Sequence, residues 1–214
     1  MHQHEEHDHH DHHDHGVGST RSMAVAATLH CLTGCAIGEI AGLMIGTAVG
    51  LATGATIVLS IALAFLFGYT LSTLPLLKAG LGLGAALSVV LAADTLSIAT
   101  MEVVDNAVMA LIPGAMDAGL VNTVFWIGMM IALTAAFVAA YPVNAYLLRR
   151  GRGHALTHGY HGLAGPATGA RRLIPALPTS TLVAVIAAFL VGGLVVAVAD
   201  DLESDDSPHA ALVR

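Results

Sequence analysis

The stretch ADTLSIATMEVVDNAVM, residues 93–109, places Asp94, Glu102 and Asp105 inside a run otherwise apolar enough to cross a bilayer. An acid near the centre of a spanning helix costs roughly 2.5–3.5 kcal/mol on insertion scales, whereas each Leu, Ile, Val or Phe returns only about 0.3–0.6 kcal/mol. A span carrying three acids therefore needs partners inside the protein. At helical spacing Asp94, Ile98, Met101, Glu102, Asp105, Asn106 and Met109 fall on one broad stripe. That face is expected to look into a helix bundle or a wet cavity, where carboxylates bind protons or cations or pair with polar neighbours.

The rest of the chain supplies such a bundle. Of its 214 residues 56% are hydrophobic and 11% charged, with a mean hydropathy of +0.76, against about 25% charged residues in a soluble domain. Twenty-three Gly and little aromatic content suit helices packed through small residues rather than the alternating strands of a β-barrel. The expected fold is all-α: a polytopic membrane helical bundle with a four-helix core and a fifth, C-terminal transmembrane helix. The boundaries are a leader over 1–20, a four-span domain over 21–150, a loop over 151–177, a fifth helix over 178–200 and an acidic tail over 201–214. The expected partners are the lipid bilayer, a metal ion and further copies of the chain, with no nucleic acid.

Residues 1–16 hold eight of the thirteen His, among them His7, His9, His10, His12 and His13, interleaved with five acids. With almost nothing to bury, this leader is expected to be disordered. Neutral imidazoles beside carboxylates are ligands for Zn, Ni, Co or Cu(II); the alternative is a merely solvated polar end. No signal peptide is expected, because the leader runs into a span long enough to stay in the membrane.

The first span, 23–49, carries TLHCLTGCAIGE, with Cys31, Cys35 and Glu39 four apart on one face, His30 beside them and Met44 further on. The stripe has the donor types of a metal site, although buried Cys is also a common packing residue and a disulfide between residues four apart on a helix would be strained. A second span over 55–77 has only hydroxyls as polar residues, expected to bond helix carbonyls. The third span, 83–112, ends at Pro113-Gly114 and the fourth, 119–148, at Arg149 and Arg150. The fifth, 179–199, has no strongly polar residue after Thr181 and reads as peripheral. Arg21, Lys78, Arg149, Arg150, Arg152, Arg171 and Arg172 all fall on one side, while loops 50–54 and 113–118 have no basic residue. The basic side is expected to be cytoplasmic, placing the N-terminus inside and the C-terminus outside the cell membrane.

Spans one and three run in the same direction. Counting at about 1.5 Å per residue from their outer ends, Glu39 is level with Glu102, Cys35 with Ile98 and Cys31 with Asp94. The two helices are expected to adjoin, with Glu39 and Glu102 facing each other and sharing a proton or a cation.

The runs LHCLTGCAIGEIAGLMIGTAVG, LAADTLSIATMEVVDNAVMALIPGAMDAGL and AAYPVN resemble the prokaryotic membrane family called domain of unknown function 4396, over roughly residues 24–150. The resemblance implies a compact four-helix membrane domain and supplies no settled activity.

The leading functional expectation is a membrane protein that handles or transports a transition-metal ion. Its donors would be His30, Cys31, Cys35, Glu39, Asp94, Met101, Glu102, Asp105 and Met109, with the leader histidines collecting the ion. Thiolates and thioethers favour Cu(I), so copper comes first and zinc, nickel or cobalt follow. Alternatives are proton- or sodium-coupled movement of another solute, a membrane thiol or haem oxidoreductase, and an accessory subunit whose polar residues glue helices. No enzyme is expected: no Ser-His pair or HExxH motif occurs.

Overall fold

The computed structural model describes residues 15–150, 169–174 and 178–205. Within them the chain forms α1 (His15–Val49), α2 (Thr53–Lys78), α3 (Leu83–Leu111), α4 (Thr123–Arg149), a 3-10 turn (Gly169–Leu173) and α5 (Thr179–Asp205). All five α-helices are long and apolar enough to cross a bilayer. Large side chains such as Val58, Val103, Leu111 and Val196 are more than 60% exposed, a surface that only a lipid environment accommodates.

The α1–α2 hairpin is set by a ladder of small residues. Gly34, Gly38, Gly42 and Gly46, each four apart, lie against Gly68, Ala64, Ser60 and Thr56 in antiparallel order, so closely that a Cβ at any of these four glycines would run into its opposite number. Backbones approach in this way only through small residues. The turn between the helices needs Gly50 at φ +74°, and the Leu51 amide closes on the Gly46 carbonyl at 2.8 Å, the left-handed exit that glycine makes without strain. Ser and Thr of α2 mostly cap their own backbone, Thr70 on Leu66 and Thr73 on Tyr69, as the sequence suggested.

The four helices form a ring in which each packs chiefly on its chain neighbours and α4 closes on α1. Hence α1 and α3 stand across the ring from each other, in lesser contact, and meet through their polar faces at its centre rather than by close adjoining. The α5 helix packs outside, on α4 and α1, through Trp126 against Phe189 and Gly193. This peripheral position fits its plain composition.

Two ends differ from expectation. The α1 helix begins at His15, inside the stretch expected to be leader, because adding residues to a helix already nucleated costs little. The α5 helix runs on to Asp205, and Asp201 accepts a 2.6 Å bond from Thr123 Oγ1, so the first acids of the tail dock on the start of α4. The leader histidines His7, His9, His10, His12 and His13, like the loop histidines, lie outside the described residues.

Candidate functional site

The α3 stripe faces the centre of the ring as its spacing required: Asp94, Ile98, Met101, Glu102, Asp105 and Met109 are all buried, as are Cys31, Cys35 and Glu39 of α1. Across the ring the side chains meet in pairs. Cys31 lies against Ser97 with Asp94 nearby, Cys35 against Glu102, and Glu39 against Asp105, with Glu102 next to it. Equal-depth counting therefore missed the register by about one turn: Glu39 meets Asp105 first rather than Glu102, and Cys35 meets Glu102 rather than Ile98. The cause is that the two helices do not end level. With Glu39 against Asp105, the end of α3 at Leu111 falls about one turn short of the end of α1 at Val49.

Two members of the expected stripe fall elsewhere. Met44 is 55% exposed and lines an apolar groove against α5. His30 is half-buried, its Nδ1 lying 3.2 Å from the Ala26 carbonyl one turn back.

The carboxyl pair is unusual in its surroundings. Neither oxygen of Glu39 or Glu102, nor Oδ1 of Asp105, has an N–H or O–H partner among the described residues. What faces the Glu39 carboxyl is another carboxyl. Two ionised carboxylates held together away from water repel strongly, and only a proton or a cation between them removes the conflict. Asn106, on the same face, does not serve them, since its amide donates to the Glu102 carbonyl at 2.9 Å.

This pair lies at the wall of a cavity of about 310 Å³ that opens at the end of the molecule away from Arg21, Lys78 and Arg149. Thr53 and Asp117, bonded to each other at 3.4 Å, stand at its mouth, and Met109, Met116 and Met129 line its side. The mouth is shaped by the α3–α4 connection, which Trp126 holds down through a 2.7 Å bond from Nε1 to the Leu120 carbonyl. Among the described residues nothing basic lines it. Sequence reasoning missed Asp117, Met116 and Met129 as wall residues, because they reach the cavity only through the path of that connection.

Toward the basic end the polar face continues. Asn144 of α4 donates from Nδ2 to Thr28 Oγ1 and to Ser97 Oγ, both at 2.9 Å. Among the described residues no three or more His, Cys, Asp and Glu converge as a ready-made metal cage; the donors are strung along the ring axis in pairs.

Fold and site together define a polytopic helical membrane protein with an acidic, cysteine-bearing face enclosed in a four-helix ring. The chain belongs to the family described as "Domain of unknown function (DUF4396)", which it matches over residues 20–153, the four-helix ring and its flanks. No curated protein and no solved structure matches it.

Proposed function

We propose that this chain is a transporter, not an enzyme, that moves a transition-metal cation across the bilayer through the centre of the ring, in exchange for protons. The observation that carries this reading is the Glu39–Asp105 pair at the wall of an acidic cavity reached from one end. A cation entering past Asp117 would displace the shared proton. Cys35 with Glu102, then Cys31 with Asp94, offer the next donors along the axis. Pairs suit passage better than a cage, because conduction needs binding strong enough to enter and weak enough to leave. Thiolates here and thioethers of Met101 and Met109 favour Cu(I), with Zn(II) next. All four walls come from one chain, so the path lies within a single copy. The basic end is cytoplasmic on this reading, and the His-rich leader collects the ion there.

A second reading, proton- or sodium-coupled movement of another solute, is favoured by the pairing of donors without a three-donor cluster among the described residues. Proteoliposomes carrying both a metal-sensitive and a pH-sensitive dye separate the two. Metal flux with opposite proton movement on adding Cu(I) or Zn(II) supports the first reading. A proton leak indifferent to either metal supports the second, and no flux of any kind removes both.

A further inference from the structure

Among the described residues the cavity reaches the polar axis from the end away from Arg21, Lys78 and Arg149. At the other end the axis is closed by a cluster that the transport reading does not use. Asn144, Thr28 and Ser97 are 4%, 0% and 0% exposed and belong to three different helices. The Thr28 hydroxyl spends its proton on the Ala24 carbonyl at 2.7 Å, so its lone pairs are left to accept, and the Asn144 amide supplies that donor. The second amide hydrogen goes to Ser97. One turn further toward the basic end, Ala24 and Leu148 are buried on α1 and α4 and Asp94 on α3, so the layer beyond the amide carries a single carboxyl among apolar side chains.

These bonds differ in what they join. The glycine ladder welds α1 to α2, so the hairpins α1–α2 and α3–α4 are the natural moving units. The bond from Asn144 to Ser97 lies within the second hairpin, whereas the bond to Thr28 crosses between the two. Pro142 stands two residues before Asn144 inside α4; it has no N–H for the Val138 carbonyl, and a helix bends most readily at such a point. A bend there swings Asn144 away from α1 while the cavity end of α4 stays in place.

We propose that the Asn144–Thr28 bond, with Ser97 holding the amide in position, is the latch of a gate that closes the axis at its basic end, and that the structure is the state open at the cavity end. Asn144 is thus a positioning residue that touches no cation. This inference builds on the transport reading, but its test reads exposure of a native thiol and not flux, so the two can fail separately.

Cys31 lies one turn from Thr28 and against Ser97, directly behind the latch, and the chain has only two Cys, both buried and free. With Cys35→Ser in place, Cys31 is the single thiol. A small, membrane-impermeant, positively charged methanethiosulfonate is added to oriented vesicles from one face at a time, and modification is followed by mass. With the latch intact, labelling is slow from both faces. Asn144→Ala is expected to speed labelling from the basic face at least tenfold and leave labelling from the cavity face unchanged. Thr28→Val, which keeps shape and removes the cross-hairpin acceptor, should do the same. Unchanged labelling from the basic face overturns the gate. Equal acceleration from both faces also overturns it, since that is the signature of a loosened bundle in which Asn144 is packing glue.

Discussion

Glu39 of α1 and Asp105 of α3 hold their carboxyl groups against each other across the centre of the ring, beside a cavity whose mouth carries Asp117. The sequence supplies this arrangement twice over, by a GxxxG ladder that sets α1 firmly on α2 and by an α3 stripe that has no other place to bury its acids. A proton or cation between the two groups is what reconciles them with their surroundings.

The ladder makes the first prediction. A Cβ on Gly38 would collide with the Ala64 backbone, which cannot rotate away as a side chain could, so Gly38→Ala must push α1 off α2. Overpacking of this kind costs about 1–3 kcal/mol. Thermal unfolding in detergent should show a clearly lower midpoint for Gly38→Ala, while Gly54→Ala, where a Cβ meets nothing within 4 Å, stays near wild type. Equal midpoints would mean that the hairpin is not packed this tightly.

The second concerns α5. Trp126, the chain's one Trp, is 4% exposed, covered by Phe189 and by Gly193, where a Cβ would strike its ring. Ending the chain after residue 174 should leave the four-helix ring inserted and helical by circular dichroism while shifting Trp126 fluorescence. Loss of the ring with α5 would make the fifth helix part of the core.

The third is topological. Arg21, Lys78, Arg149 and Arg150 share one end and the connections 50–54 and 113–118 carry no basic residue, so a reporter after Arg214 should be active only outside the cytoplasm. A cytoplasmic reporter there would reverse the assigned side of the cavity or remove one span.

The fourth separates leader from path. A donor-rich segment at the basic end, opposite the cavity mouth, binds an ion that has already crossed, so removing residues 2–15 should reduce metal uptake only modestly. Loss of uptake at every concentration, with normal abundance, would place the leader in the transport step itself.

Much of the fold was legible in the sequence because hydropathy and the cost of buried acids leave few alternatives: the five spans follow from apolar runs, and the inward face of α3 from the spacing of Asp94, Glu102 and Asp105. The register between α1 and α3 was not, because depth counting assumes helix ends at one level, whereas α3 stops about one turn short of the end of α1. Met44 fell off the α1 stripe because, five residues from Glu39, it belongs to the neighbouring face that carries Thr33, Ile37 and Ile40 beside α5. The Asn144 cluster was hidden differently. A Ser or Thr inside a span ordinarily bonds its own helix, as Thr28 does with Ala24, and only the fold shows that Thr28 also accepts from Asn144.

The most direct test of the central claim is metal flux and proton counterflow in proteoliposomes of Glu39→Gln and Asp105→Asn. Either amide can donate to the remaining carboxyl and satisfy the pair without a shared proton, and an amide is less costly to bury than a charge, so both variants should insert and fold as wild type does. Each is expected to lose at least tenfold in Cu(I) or Zn(II) flux together with the coupled proton movement. Wild-type flux in both variants would contradict the account, leaving Glu39 and Asp105 as residues that join helices and carry no ion.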